Sequence, residues 1–206
     1  MRKIRSFIPS LKVRLQLVST LHGKVIQRYN EPSHTFVRNW FNILFSVMLS
    51  FLSTGTTFGA GFLSSKNTSG TVQNTGFLNA QSLIASTAQV DRGLVVGTGT
   101  TAESFEAVNL ATQCAEGTGA NQLNHLAMPA TTVAYTSGTK VWAATIKRVM
   151  NNNSAAPIVI TETGIISFKT GINPFLVIRD LLVTPVTVAI GGQLTVTYIF
   201  SLTFPG

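Results

Sequence analysis

The residues that could act as nucleophiles, bases or metal ligands are few in this chain and lie far apart. Cys114 is the single cysteine, so no internal disulfide bond can form. The three histidines, His22, His34 and His125, are scattered, and none belongs to a cysteine-protease signature. We therefore expect Cys114 to be a small, partly buried thiol rather than a catalytic nucleophile.

The carboxylates also give no catalytic pair. Glu103 and Glu106 lie three residues apart and could bind a cation, but exposed carboxylates in a loop are usually only solvated. Glu162 lies among apolar residues in a predicted strand. Because an unpaired buried charge is costly, Glu162 requires a basic partner, for which Arg148 and Arg179 are the candidates. We expect a structural salt bridge rather than acid–base catalysis.

A glycine-rich stretch, GTGTT at residues 97–101, is the remaining candidate for ligand binding. A phosphate-binding loop requires GxxxxGK[ST], and no lysine follows here. A dinucleotide-binding loop lies between a strand and a helix, whereas this stretch leads into a loop. The sequence therefore predicts no cofactor, no metal site and no catalytic residue.

The uneven distribution of charge is the most informative feature of the sequence. The formal charge is +8, and eight of the 15 basic residues fall within the first 40 positions beside a single acidic residue. Only 11% of residues are charged, against roughly 25% in an average soluble domain. A basic leader on a nearly neutral body favours an assembly protein with an attachment segment over an enzyme.

The basic leader has two possible partners. Its cations could neutralise nucleic-acid phosphates without reading sequence, or they could lie on an acidic patch of a partner protein. The residues concerned are Arg2, Lys3, Arg5, Lys12 and Arg14.

Residues 40–52, WFNILFSVMLSFL, form an apolar run of about 13 residues, which is shorter than the ~20 that a membrane span needs. Apolar residues at steps of three and four predict instead a helix from His34 to Leu52, capped by Ser33. We expect the helix to cover a sheet face or a groove between subunits. The side chains predicted to be largely buried are Trp40, Phe41, Leu44 and Phe45.

Alternating apolar residues predict β-strands in the rest of the chain. Residues 11–19 form one strand, His22-Gly23 a turn, and residues 24–28 its hairpin partner. The C-terminal third contains five further predicted strands, at 139–150, 157–168, 174–182, 185–190 and 193–204. Gly191-Gly192 is predicted to be the turn of a C-terminal hairpin, with Leu194, Val196, Tyr198, Phe200, Leu202 and Phe204 on its more buried face.

These elements predict a mainly β fold. We expect an antiparallel β-sandwich, of jelly-roll or Ig-like type, with one N-terminal apolar helix and a basic N-terminal arm. The predicted division is residues 1–52 for the arm, hairpin and helix, 53–89 for a Gly/Ser/Thr-rich linker, and 90–206 for the sandwich body.

Four segments of the sequence carry a resemblance to a known family. They are SHTFVRNW (33–40), GLVVGTGTTAESFEAVNLATQCAEGTGANQL (93–123), VWAATIKRVMNNNSAAPIVITETGI (141–165) and LVIRDLLVTPVTVAIGGQLTVTYIFSLTFP (176–205). The pattern resembles small β-rich structural proteins of tailed bacteriophages. The resemblance implies a non-enzymatic virion component that assembles as a multimer in the host cytoplasm. Its position would be in the capsid decoration, neck, tail or baseplate.

Two other functions stay open on the sequence. One is a membrane-associated or secreted surface protein anchored through residues 40–63, and the other is a nucleic-acid packaging factor that uses the basic arm. For the virion protein, the expected partners are further copies of the chain and other virion proteins. The residues predicted to make these contacts are Arg2, Lys3, Arg5, Lys12, Arg14, Arg38, Trp40, Phe41 and Phe45.

Overall fold

Strands are the main secondary structure among the residues that the structure describes. The computed structural model describes residues 10–33, 35–50, 65–73, 82–169 and 172–204. The mainly β prediction is confirmed for these residues. Their elements are β1 (Ser10–Leu21), β2 (Lys24–Pro32), α1 (Arg38–Ser50), β3 (Ser65–Lys66), β4 (Val72–Gln73), β5 (Gly93–Gly97), β6 (Ala115–Glu116), β7 (Gln122–His125), β8 (Thr132–Thr136), β9 (Val141–Asn151), β10 (Ile158–Lys169), β11 (Ile172–Val188) and β12 (Gln193–Thr203).

The largest sheet joins the two ends of the described chain. Its order is β2-β1-β12-β9-β7-β6, and β8 pairs with β9 beside β7. Strands β1 and β12 are paired along their length, from Ser10 opposite Thr203 to Thr20 opposite Gln193. The predicted strand at 11–19, its turn and its hairpin partner are confirmed, and all neighbours are antiparallel except β6 and β7.

A second sheet, in the order β11-β10-β5, completes the core. Both sheets contribute to one hydrophobic cluster, in which Leu15 and Tyr198 of the large sheet lie with Ile160 of the small one. The small sheet is also covered on its other face, where Val95 and Ile166 pack with residues outside the sheet. This double cover explains why β10 is buried at every position from 162 to 167 instead of alternating. The jelly-roll or Ig-like assignment stays a prediction.

The predicted C-terminal hairpin is wrong. Residues 174–182 and 185–188 belong to one strand, β11, and the glycine turn leads from it to β12 in the other sheet. The turn itself is confirmed, because Gly192 N–H donates to Ala189 O at 2.9 Å and Gly191 has φ 68°. Local turn chemistry therefore specifies a reversal of the chain, while burial of apolar faces decides which strands pair.

Asn152 links two connections at which the chain passes from one sheet to the other. Its backbone N–H donates to Gly192 O at 2.8 Å, and its carbonyl accepts from Gly191 N–H at 2.8 Å. Its fully buried side chain donates to Ala156 O and to Val188 O, both at 2.9 Å. This asparagine joins the β9–β10 corner to the β11–β12 corner and satisfies their backbone groups.

The helix begins later than predicted, and its buried side is different. Ser33 does not cap it, because its hydroxyl donates to Asp180 Oδ2 at 2.8 Å. The next residues lie along the edge of β11, where Phe36 bridges to Ile178 and Val37 N–H donates to Val177 O at 3.3 Å. Extended backbone that pairs with a sheet edge cannot be helical, so α1 starts at Arg38.

The predicted burial of the helix is partly wrong. Phe41 is 37% exposed and Leu44 is 40% exposed, whereas Asn39 and Ile43 are buried. Trp40 is half-buried. Asn39 takes an inward position because its amide donates to Lys66 O at 2.7 Å and to Leu176 O at 3.1 Å. The Phe45 side chain, His34 and residues 51–64 lie outside what the structure describes.

Among the described residues, no helix has both the length and the apolarity that crossing a bilayer requires.

Candidate functional site

One end of the large sheet has an apolar surface that the small sheet does not cover. Leu11, Leu202, Trp142 and Tyr135 are directly paired across four strands, so their side chains share one face. This is the core face, because the parallel row Leu15, Tyr198 and Ile146 is buried. We call the uncovered surface the apolar end. It consists of Leu11, Val133, Tyr135, Trp142, Leu202 and Phe204.

Exposure rises steeply from the core to the apolar end. Leu194, Val196 and Tyr198 are fully buried, as predicted, but Phe204 on the same run is 42% exposed. Tyr135 is 59% exposed, and Leu11 is 50% exposed. A contiguous apolar surface of this kind marks an interaction site more often than chance exposure does.

Strand β8 forms the edge of the sheet at the apolar end. All of its residues are exposed, and it pairs with β9 on one side only among the described strands. Residues 126–139 contain no charged residue and no histidine. Soluble proteins usually protect such an edge with charges, prolines or a covering element. Strand β8 contains no charge and no proline, and no element of the described part of the chain covers its outer edge, so it presents free backbone groups for pairing with another strand.

The sequence did not point to β8. No strand is predicted from the sequence between residues 101 and 139. The usable signal was the alternation of Val133 and Tyr135 within an uncharged stretch, which a search for longer strands passes over.

The predicted interaction residues are dispersed over the molecule. Arg38 forms an ion pair with Glu106 and lies 5.7 Å from the centroid of the Phe105 ring. Phe36 has its ring centroid 5.0 Å from that of Trp40 and 6.2 Å from that of Phe41. These contacts are within the chain.

The predicted cations of the leader fall into two groups. Lys12 and Arg14 are exposed on the outer face of the large sheet. Arg2, Lys3 and Arg5 lie outside the described residues, so their predicted contacts stay predictions.

The predicted salt bridge of Glu162 is present, with Arg179 as its partner. Arg179 Nε donates to Glu162 Oε2 at 2.9 Å, and both side chains are almost completely buried. The other candidate, Arg148, does not contact Glu162. The remaining guanidinium nitrogens of Arg179 donate to Thr101 O at 2.7 Å and to Ala102 O at 3.1 Å. The pair therefore connects the small sheet to the glycine-rich stretch.

Backbone N–H groups of the glycine-rich stretch and of the segment facing it bind the carboxylate of Glu162. In a nucleotide-binding loop, such groups would bind phosphate. Glu162 accepts hydrogen bonds from Gly99 N–H at 3.2 Å and from Thr112 N–H at 2.7 Å. A Cβ at Gly97 or Gly99 would lie 2.6 or 2.4 Å from Glu162 Oε1. Glycine is therefore required here for close approach of the backbone to the protein's own carboxylate, which is a structural role.

Arg148 is a second buried cation, and its described partners are all backbone carbonyls. Its side chain is fully buried and donates to the carbonyl oxygens of Ser86, Gln89, Arg92, Leu94 and Leu126. Burial lowers the pKa of Arg148 to about 10, while Glu116 and Asp91 act in the opposite direction. The guanidinium thus fixes the segment 86–94 against β9.

Cys114, Glu103 and Glu106 are the other titratable groups that the sequence singled out. Cys114 is buried, and burial raises the pKa of its thiol to about 12, so it is a poor nucleophile at neutral pH. Glu103 accepts from Leu181 N–H at 2.6 Å, and Glu106 pairs with Arg38. Within the described ranges, no three His, Cys, Asp or Glu side chains lie close enough together to hold a metal ion.

His125 is buried beside Glu116 and Arg148. Its Nδ1 lies 3.0 Å from Glu116 Oε2, and its Nε2 has no hydrogen-bond partner in the part of the chain that the structure describes. Burial, and then the charge of Arg148, lower the pKa of His125, and Glu116 only partly offsets them. His125 is therefore neutral in the folded protein at pH 7, with its proton on Nδ1.

We expect this histidine to make the protein less stable in mild acid. Well above pH 6.5 neither the folded nor the unfolded state protonates it. Below that pH the unfolded chain gains a proton that the folded chain resists, so the free energy of unfolding falls until the pH reaches the lowered pKa. His125→Asn, which keeps a donor toward Glu116, should flatten the profile below about pH 6.5.

Chemical denaturation at a series of pH values measures this effect, and His22→Asn in the exposed turn is the control. The contribution of Glu116 to stability is lost only as the pH falls below the ordinary pKa of 4.5. Burial raises its pKa, but hydrogen bonds from Asn124 and His125 outweigh burial and hold it below 4.5. A His125→Asn profile that parallels the profile of the parent protein would contradict the assignment.

Comparison of the chain with models of protein families, with curated proteins and with solved structures found no match.

Proposed function

We propose that this protein is a non-enzymatic structural component of a bacteriophage virion and that it assembles as a multimer through the apolar end. The observation that carries the proposal is the uncharged edge strand β8 beside an uncovered continuation of the core face. The resemblance of the sequence to phage structural proteins supplies the kind of particle. The proposal includes the fold type, in which the two sheets form a jelly-roll or Ig-like sandwich.

A second copy of the chain is the occupant that fits the apolar end. With a formal charge of +8, copies of the chain repel one another wherever cations face each other. Residues 126–139 carry no charge, so two copies of β8 can approach without this repulsion. Antiparallel pairing of the two edges would satisfy the free backbone groups and bring Val133 and Tyr135 against apolar residues of the second copy.

The polar interior supports a structural role. The carboxylate of the buried Glu162 accepts hydrogen bonds from Arg179 and from backbone amides, and the guanidinium of Arg148 donates to backbone carbonyls. Neither group is free to bind a substrate. Each joins a loop to a strand, which stabilises the body.

Sedimentation velocity of the full chain tests the proposal. The parent protein should sediment as an oligomer, and the double variant Val133→Lys/Tyr135→Lys should sediment as a monomer because it places charges on the edge. The control is Val183→Lys/Ile190→Lys, which adds the same charge at exposed apolar residues outside the apolar end.

Circular dichroism should show that all three proteins are folded. A monomeric parent protein, or an edge variant that assembles as the parent does, would overturn the proposal.

A further inference from the structure

The outer face of the large sheet carries a group of exposed cations. Alternation along the strands places Lys12 and Arg14 of β1, Arg28 of β2 and Lys147 of β9 on this face, opposite to the core. All four are exposed. We call this group the cationic face. Arg28 and Lys147 were not among the residues that the sequence singled out for binding.

The pairing register fixes how far apart these cations are. Arg14 and Lys147 are separated by two strand spacings and two residues, which is about 12 Å between Cα atoms. Arg28 lies opposite Val18, one strand spacing and four residues from Arg14, or about 14 Å away. The four side chains therefore span about 20 Å, a length along which one strand of a duplex presents about six phosphates.

No acidic residue neutralises the cationic face. None of the four cations forms an ion pair with any carboxylate among the described residues, whereas Arg38, Arg92 and Arg179 do. Glu31 of β2 is paired with Leu15, so it belongs to the opposite, core-side register. The charge is thus available to a partner outside the chain.

The remaining side chains of the face suit phosphate and sugar contacts. Gln16, Thr145, Thr195, Thr197 and Ser201 lie between the cations and are half-buried. Hydroxyl and amide side chains commonly hydrogen-bond to the nucleic-acid backbone. No aromatic residue lies in the paired rows of this face, so bases have no stacking platform. The one large exposed apolar side chain in the paired rows of this face is Val25, which lies opposite Thr20 at the hairpin end of β2.

We infer that the cationic face binds the phosphate backbone of nucleic acid without sequence preference. The inference rests on the proposed function, since a virion protein is the kind that meets a packaged genome. The geometry permits both roles at once, because the apolar end lies on the core face of the same sheet and the cationic face lies on its other side. The basic residues 1–9 precede β1 directly and extend the cationic sequence.

Fluorescence anisotropy with labelled single-stranded DNA of about 30 nucleotides, at salt concentrations from about 50 to 200 mM, tests the inference on the full chain. The variant Lys12→Gln/Arg14→Gln/Lys147→Gln removes three face cations. Its control, Lys24→Gln/Lys66→Gln/Lys140→Gln, removes three exposed cations elsewhere and reaches the same net charge.

The face variant should bind roughly 100-fold more weakly near 0.1 M salt, and its plot of log affinity against log salt should be shallower by about 2. The control should bind within about threefold of the parent protein. Sedimentation velocity should show the face variant assembling as the parent does, which separates this inference from the proposed self-association.

Three results would overturn the inference. The first is no binding of DNA, including the case in which anionic phosphatidylserine vesicles bind instead. The second is an equal loss in the face and control variants, because net charge alone would then explain it. The third is loss of binding only in Arg2→Gln/Lys3→Gln/Arg5→Gln, which would assign the contact to the N-terminal arm.

Discussion

Replacing Glu162 with glutamine should lower the free energy of unfolding by about 3–5 kcal/mol. The substitution preserves shape but removes the charge that neutralises Arg179, and both groups are almost completely buried. It also replaces one acceptor oxygen by an amide donor, which opposes either the N–H groups of Gly99 and Thr112 at the Oε1 position or those of Ala111 and Arg179 at the Oε2 position. An unpaired buried cation and opposed donors together make this a severe change.

Urea or heat denaturation measures the loss. Glu106→Gln is the matched control, because it makes the same substitution in an exposed ion pair, where about 0–1 kcal/mol is expected. If Glu162→Gln and Glu106→Gln lowered stability equally, the Glu162–Arg179 pair would not be holding the 98–113 loop to the small sheet.

Arg148→Met should lower the free energy of unfolding by a similar amount, about 3–5 kcal/mol. Methionine fills much of the side-chain volume but donates no hydrogen bond. The carbonyl groups of Ser86, Gln89, Leu94 and Leu126 lose their shared donor and are left partly or fully buried. The segment 86–94 should then loosen before the rest of the molecule unfolds.

The control for this change is Lys147→Met, the adjacent residue on the exposed face of β9. Hydrogen exchange adds a local measurement. The amide of Ala88, which donates to His125 O at 2.8 Å, should exchange faster in Arg148→Met than in the parent protein or the control. Unchanged protection at Ala88 would show that Arg148 does not anchor this segment.

Strands with alternating side chains were predictable because each needs only one buried face. Residues 11–19 and 193–204 have this pattern, and both predictions of a strand are confirmed. Which strands pair with each other could not be predicted from these patterns. The Gly191 turn is the same chemistry whether it joins paired strands or two sheets, so only packing of the whole chain determines which of these it does.

The partner of one buried charged residue could be predicted from the sequence, whereas the partners of another could not. A carboxylate inside an apolar strand implies a cation, and this argument led from Glu162 to Arg179. Arg148 is satisfied by main-chain carbonyls, which every residue has, so no residue type marks its partners in the sequence. The helix start at Arg38 was missed because Phe36 pairs with the edge of β11, a contact between residues far apart in the chain.

Disulfide cross-linking between copies tests the central claim, self-association through β8, most directly. Ala134 is the middle residue of β8, and antiparallel pairing of two copies about a two-fold axis would place the two residues 134 opposite each other. Their Cα atoms would then be about 4.5–5.5 Å apart, within the range that a disulfide bridges. Ala134→Cys should therefore form covalent dimers under mild oxidation.

Ala155→Cys, exposed at the corner between β9 and β10, should stay monomeric on a non-reducing gel, as should the parent protein with its buried Cys114. Dimers of Ala134→Cys alone are the predicted result. Equal cross-linking of the two variants, or none in Ala134→Cys while the protein is assembled, would contradict self-association through β8.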